Sequence, residues 1–476
     1  MVKSNFVGRA KECKLLQKCL DSKRSEFVAV YGRRRVGKTF LIKEFFNYSF
    51  AFSITGIANA TTTQQLFNFD TEMGRQSHLT FDGPSPDWLH AFQRLRQHLE
   101  MSKSKGKTVV FIDELPWFDT HGSDFLIALE HFWNAWATNR KDILLITCGS
   151  AASWMLNQLI NNTGGLHNRV TALLKIEPFT LRETEQMLKA KHCNVDSYQL
   201  AELYMCMGGI PYYLDAIDPS LSAAQNIQEL FFEKNGLLNH EFHNLYRSLF
   251  KRHDIYEKVV EVLSGKPYGL PRAEMIKLSG VESGGTFTKV LADLEESGFI
   301  ASCPALHRKH KHTIYRISDY YTAFYFRFLA GARQNASANW MQMTDHPAHR
   351  AWQGYTFEQV CIDHIGQIKK ALGISGIEAT AASWAGGAED QKTQIDLLID
   401  RRDHVINLCE CKFSLDKYTI TKAYAEALKR KVTLFKEATK TKKAVHLVFI
   451  STHGLNRNSY SDMLVQREIL LDDLVV

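Results

Sequence analysis

The 476-residue sequence predicts an α/β protein of several domains. A parallel-sheet domain comes first, then a helical segment, a helix-and-hairpin module, and a second, smaller α/β domain at the end. Three observations carry that prediction. An apolar run, EFVAVY, leads through a glycine loop into an amphipathic helix. KTVVFIDE then ends a second apolar run in two acids. Near the end, NLCECKFS sets an acid and a lysine two residues apart, so that on a strand they share one face.

Length and composition bound the reading. A chain this long exceeds one ordinary core, so two to four domains are expected. Hydrophobic residues at 45% and charged residues at 23% are those of a globular protein. The opening MVKSNFVGRAKECKLL turns polar at once and lacks the apolar core of a signal peptide. No uncharged apolar run approaches the ~20 residues that span a bilayer. The nine cysteines lack framework spacing, which points to reduced thiols, so a cytoplasmic protein without membrane partners is expected. A net charge of +7 permits a polyanionic partner without requiring one.

The first domain carries the most specific chemistry. In YGRRRVGKTF, Gly32, Gly37, Lys38 and Thr39 complete the P-loop pattern in the required strand–loop–helix context. Backbone N–H groups of Arg33, Arg34, Arg35, Val36 and Phe40 would help wrap the phosphates of ATP. Lys38 would reach the β and γ phosphates, and Thr39 would hold Mg²⁺. Asp113 is expected to join Thr39 at the metal, with Glu114 as general base toward the attacking water. Between these motifs lies SFAFSITG, an inserted strand that with the glutamate marks the additional-strand branch of P-loop proteins. DILLITCGSAASWM offers Thr147 or Ser150 as a polar sensor of the γ-phosphate, with Ser150 preferred; a plain strand-to-helix turn is the alternative. Arg169 precedes another short strand, as an arginine finger or as an ordinary surface residue.

FVGRAKE, FIDELPW, KIEPFTLRE and MGGIPYYL together resemble the archaeal-type AAA+ ATPases close to the STAND group. The resemblance covers roughly residues 1–235. It implies an ATPase core over 1–180 and a helical lid over 181–250. Gly8 and Arg9 would then lie near the adenine, and Pro211 of the lid against the nucleotide. No second sensor arginine stands out, which suggests slow hydrolysis used as a switch.

Residues 251–335 read as three short helices and a hairpin, the form of a winged helix. Its basic run HRKHKH, 307–312, would attract DNA phosphates or simply form a solvated tip. Such modules also serve as protein contacts. ARQNASANWMQMTDHP reads as a linker.

From 350 to 476 the order is helix, strands, helix, strand, with Glu358 near the start of the first helix. Asp396, Glu410 and Lys412 follow the spacing of the PD-(D/E)xK nucleases, which this tail resembles; no proline precedes Asp396. The resemblance implies a restriction-endonuclease-like fold. Asp396 and Glu410 would bind Mg²⁺, Lys412 would act on the water, and Glu358 would complete the site. A zinc reading of Cys409 and Cys411 lacks two further ligands, so these thiols are expected to pack against the opposite face. The expected function is ATP hydrolysis coupled to metal-dependent DNA cleavage, in genome defence, mobile-element maintenance or DNA processing. Homo-oligomers are possible. The alternative is a nucleotide-switched regulator or scaffold whose nuclease fold is idle.

Overall fold

Runs such as VVFI and ILLI are too apolar for either face to meet water, so they are suited to the interior of a parallel sheet covered on both sides. The computed structural model describes residues 7–77, 79–101, 106–160, 169–303, 313–331, 339–343, 346–386 and 393–476. It divides into two units, up to Pro178 and from Phe179 onward.

In the first unit five parallel strands, β1 (Glu26–Tyr31), β2 (Phe52–Thr55), β3 (Thr108–Asp113), β4 (Ile143–Gly149) and β5 (Ala172–Lys175), lie in the order β2-β3-β4-β1-β5. β3 and β4 are buried along their whole length. The strand inserted between β1 and β3 is therefore β4, with Ala29 beside Thr147 and Phe111 beside Ile146. SFAFSITG, which follows the P-loop in sequence, instead forms the edge strand β2. Chain order does not fix spatial order when every connection is a crossover. One side of the sheet is sealed by an aromatic cluster around Trp88, which is 1% exposed and meets Phe125 at 4.9 Å between ring centres. Phe69, Phe92, Phe118 and Phe132 extend the cluster.

The second unit begins with helices Leu181–Ala190, Ser197–Met207 and Pro211–Asp215. Thr180 and Glu183 form a capping box that starts the first of these. Helices His253–Ser264, Arg272–Ser279 and Gly285–Glu296 follow, with a three-stranded antiparallel sheet. Its strands β6 (Leu270–Pro271), β7 (Ile300–Cys303) and β8 (Ile314–Ile317) run in the order β6-β8-β7. The basic run 307–312 lies outside the described residues. The expected linker contributes Trp340, 1% exposed and packed on Phe324, Phe328 and Trp352. That part of it is core.

The last sheet comprises β9 (Ala379–Gly386), β10 (Thr393–Arg401), β11 (Val405–Lys412), β12 (Ala444–Ser451) and β13 (Arg467–Leu470). Its order is β13-β12-β11-β10-β9, antiparallel from β9 to β11 and parallel from β11 to β13. Helix Lys422–Thr439 covers one face through Ala425, Leu428 and Phe435. Among the described residues, no helix is long and apolar enough to cross a membrane.

Gly208 and Gly209 join two helices with left-handed backbone at both positions. A Cβ on Gly209 would stand 2.1 Å from the Phe179 carbonyl oxygen, and the Phe179 N–H donates to the Gly209 carbonyl at 2.8 Å. Gly209→Ala is expected to destabilise the second unit by more than about 1 kcal/mol. Thermal unfolding should show its transition lowered by roughly 2–4 °C or more. An unchanged transition would mean that the turn relaxes freely.

Candidate functional site

The phosphate loop grows from the end of β1 because glycine is needed twice. Gly32 has φ 141°, and a Cβ there would meet the Ile176 carbonyl oxygen at 2.3 Å. Gly37, at φ 85°, caps the helix Lys38–Phe45. Arg35 also takes the left-handed conformation, at φ 71°. The loop is braced from outside by Arg9, whose guanidinium donates to the carbonyls of Val36 at 2.9 Å and Glu177 at 2.7 Å. Arg9 thus enters the site as support for the loop, with Gly8 before it in left-handed backbone at φ 70°.

Lys38 is 5% exposed, and its ammonium donates to the carbonyls of Gly32 at 3.0 Å and Arg33 at 2.7 Å. Burial pulls this ammonium below its ordinary range, opposed by the nearby acids Glu114 and Asp113. The Thr39 hydroxyl donates to the Asp113 carboxylate at 2.9 and 3.1 Å. Burial and the adjacent charge of Glu114 push Asp113 above the usual carboxylate range. A hydroxyl and a carboxylate beside a phosphate loop are hard oxygen donors, a set that fits Mg²⁺. Phe40 is 54% exposed on the helix that follows.

Glu114 sits in the left-handed region at φ 48°, a strained position for a non-glycine residue. Its carboxylate accepts from the Ser150 hydroxyl at 2.8 Å and the Ser150 N–H at 3.2 Å. Thr147 turns into the sheet, its hydroxyl 3.5 Å from the Val28 carbonyl. Sequence reasoning passed over Cys148, fully buried between them. It hydrogen-bonds to Asp113, and burial drives its thiol well up.

Arg169 stands apart from this group, and Pro211 belongs to the second unit. Arg169 is exposed two residues before Thr171, whose N–H bonds to Phe27 at the start of β1. The phosphate loop follows the other end of β1, so this arginine is not brought to the loop of its own chain. Pro211 opens the helix Pro211–Asp215 in the second unit.

In the C-terminal sheet, Glu410 is 4% exposed and Lys412 lies two residues on, along the same face of β11. Glu410 accepts from Lys412 at 2.9 Å, Lys431 at 2.6 Å and the Tyr424 hydroxyl at 2.5 Å. Burial alone would raise its pKa, but the two ammonium groups outweigh that and hold it at about 2. Lys412 is raised in turn, its desolvation outweighed by Glu410. Lys431 and Tyr424 were missed because only their seven-residue spacing on ITKAYAEALKRK, two helical turns, hinted at a shared face.

Cys409 and Cys411 point the other way, toward the helix Pro347–Asp363, where Cys411 and Cys361 hydrogen-bond. Glu358 lies on that helix, which begins at Pro347 behind a His346 cap, so Glu358 falls well inside it. Its charge acts on Lys412 and Cys411. Asp396 belongs to β10 one residue before Leu397, which pairs with Cys409. Its side chain lies outside the described residues, and the register with β9 shifts between Ile395 and Leu398. Among the described residues, no group of three or more His, Cys, Asp or Glu is placed to hold a metal. One carboxylate met by two ammonium groups does not by itself fit a divalent cation.

Comparison with known proteins finds similarity over the first unit and beyond it. A chain from Methanocaldococcus jannaschii, an uncharacterised protein, is 25% identical over 369 residues, covering 77% of this chain and 78% of that one. A Walker-type ATPase of Pyrococcus abyssi is similar with a TM-score of 0.47 and 18% identity, over 68% of this chain and 97% of that one. The ORC2 protein of Aeropyrum pernix, in ADPNP–ADP complexes, gives a TM-score of 0.44 and 13% identity, over 70% and 96%. The family described as an ATPase domain predominantly from Archaea matches residues 6–217. With the loop, Lys38, Thr39, Asp113 and Glu114 assembled at the end of a five-stranded parallel sheet, those residues carry an archaeal-type P-loop ATPase domain.

Proposed function

We propose that the chain is a nucleotide-driven switch that binds and hydrolyses ATP in its first unit and engages DNA through its second. The observation that carries the first half is the Thr39 hydroxyl bound to Asp113, beside Lys38 held inside its own glycine loop. An arriving phosphate offers Lys38 a full negative charge in place of two carbonyls. Thr39 and Asp113 would hold Mg²⁺, which supplies neutralisation of charge on the phosphate oxygens. Glu114 is the base that takes a proton from the attacking water, once its carboxylate exchanges the Ser150 donors for that water. Arg169 reaches a nucleotide only if a second copy presents one, so its finger role requires a homo-oligomer.

Lys38→Ala should weaken ATP binding by roughly 10- to 100-fold, the worth of a charge-assisted hydrogen bond. Glu114→Gln should bind normally and hydrolyse roughly 100- to 10,000-fold more slowly. Titration with a fluorescent ATP analogue and a phosphate-release assay separate the two. Equal hydrolysis by wild type and Glu114→Gln would remove Glu114 from the chemistry.

For the second half, the three-helix, three-strand segment supports a winged-helix reading, and the last sheet supports a nuclease-type one. Glu410 favours the non-cleaving form of that fold, because both carboxylate oxygens are already engaged by protein donors. Wild type and Lys412→Ala should both leave supercoiled plasmid intact with Mg²⁺ or Mn²⁺, with or without ATP. Cleavage that Lys412→Ala abolishes would restore the metal-dependent nuclease.

The ion cluster has its own pH signature. A Glu pKa lowered from its ordinary value of about 4.3 stabilises the fold above that value, and the stabilisation is lost as pH falls toward 2. Lys431→Met should lower the unfolding temperature of the second unit at pH 7. The gap from wild type should close as Glu410 protonates, and a gap unchanged down to pH 2.5 would contradict the pairing.

A further inference from the structure

Cys148 stands among the charged groups of the P-loop site without belonging to any of its motifs. It lies one residue before the end of β4 and is 0% exposed. Thr147 is beside Ile112 of β3, and Cys148 is beside Val30 of β1. The residue after Ile112 is Asp113, so the register brings the thiol to the acid that ends β3. Asp113 is itself 3% exposed and accepts from three groups. These are the Thr39 hydroxyl at 2.9 and 3.1 Å, the Glu114 N–H at 3.0 Å and the Cys148 thiol. The same thiol lies near Lys38, whose ammonium turns instead to the Gly32 and Arg33 carbonyls. Two residues further on, Ser150 bonds Glu114. The end of β4 thus meets both acids at the end of β3.

These donors differ in what a metal would do to them. Thr39 and Asp113 offer hard oxygens of the kind Mg²⁺ takes. The Glu114 N–H is backbone and fixed by its own turn. A protonated thiol is soft and a poor partner for Mg²⁺, so it can hold the carboxylate without competing for the ion. Burial drives this thiol well up, which keeps its proton in place at neutral pH. We propose that Cys148 is a positioning residue for the metal: its S–H holds the Asp113 carboxylate in its orientation toward Thr39, and so sets how strongly Mg²⁺ is taken up with nucleotide. The inference rests on the reading of Thr39 and Asp113 as the metal's ligands.

The test titrates the full chain with a fluorescent ADP analogue, first in excess EDTA and then at rising Mg²⁺. Cys148→Ala should bind the analogue as wild type does in EDTA, because Lys38 and the glycine loop are untouched. It should need roughly three- to tenfold more Mg²⁺ for half of the gain in affinity, a modest factor because a thiol is a weak donor. Cys148→Ser keeps a donor and should bring the Mg²⁺ requirement back to within about twofold of wild type. Cys148→Val fills the space without a donor and should match alanine; if it does not fold, alanine against serine decides. A cysteine that only packs would move the affinities in EDTA and in Mg²⁺ together. That result, an unchanged Mg²⁺ requirement in Cys148→Ala, or no rescue by serine would overturn the proposal and leave Thr39 and Asp113 as ligands. A wild type whose affinity ignores Mg²⁺ would overturn the ligand reading and the proposal with it.

Discussion

Burial of charge at the end of a sheet that has no wet face is the constraint on which the first unit depends. β3 and β4 are shielded throughout, so the ends of the strands are where polar chemistry has room. Lys38 and Asp113 are 5% and 3% exposed, with Glu114 adjoining. Desolvation drives the lysine down and the aspartate up, so burial weakens each charged form. A phosphate with its counter-cation would relieve both at once. The same burial therefore gives a charged ligand its leverage.

The loop geometry follows from that constraint. A cation held by two carbonyls inside the loop between β1 and the next helix requires backbone that only glycine adopts without strain, at Gly32 and Gly37. Arg9 ties the loop to the segment after β5 by donating to the carbonyls of Val36 and Glu177. Glu114 is held at φ 48° by its place between β3 and the turn that follows, with Ser150 at the end of β4 as its partner. Glu114 and the serine that bonds it thus come from neighbouring strands, β3 and β4, which the sequence separates by a helical excursion.

That separation explains how much could be read in advance. The P-loop, Asp113 and Glu114 were legible because each is a local pattern joined to an apolar run. The position of β4 was not, since parallel pairing is set by long-range contacts rather than chain order. Tyr424 and Lys431 were invisible as members of a site until helix and sheet packed together. At Asp396 the alternation that served for β11 gives way to a register shift in β10. The helix carrying Glu358 starts ahead of the expected place because its buried face includes the polar residues His349, Gln353 and Thr356, which blurs its hydrophobic periodicity. Trp340 was hidden by the polar residues around it.

The two acid–lysine sites differ in what their charges are already doing. At the P-loop, Lys38 bonds to carbonyls although carboxylates are near, and Asp113 is held by a neutral hydroxyl. Neither charge is cancelled by a bonded countercharge, so a ligand can gain by binding. At Glu410, both oxygens meet ammonium groups and the pKa falls to about 2. An incoming cation would have to displace two lysines and would face their repulsion in a poorly solvated place. The same residue types therefore differ in state: at the P-loop the charges have no bonded countercharge, whereas at Glu410 they are closed on one another.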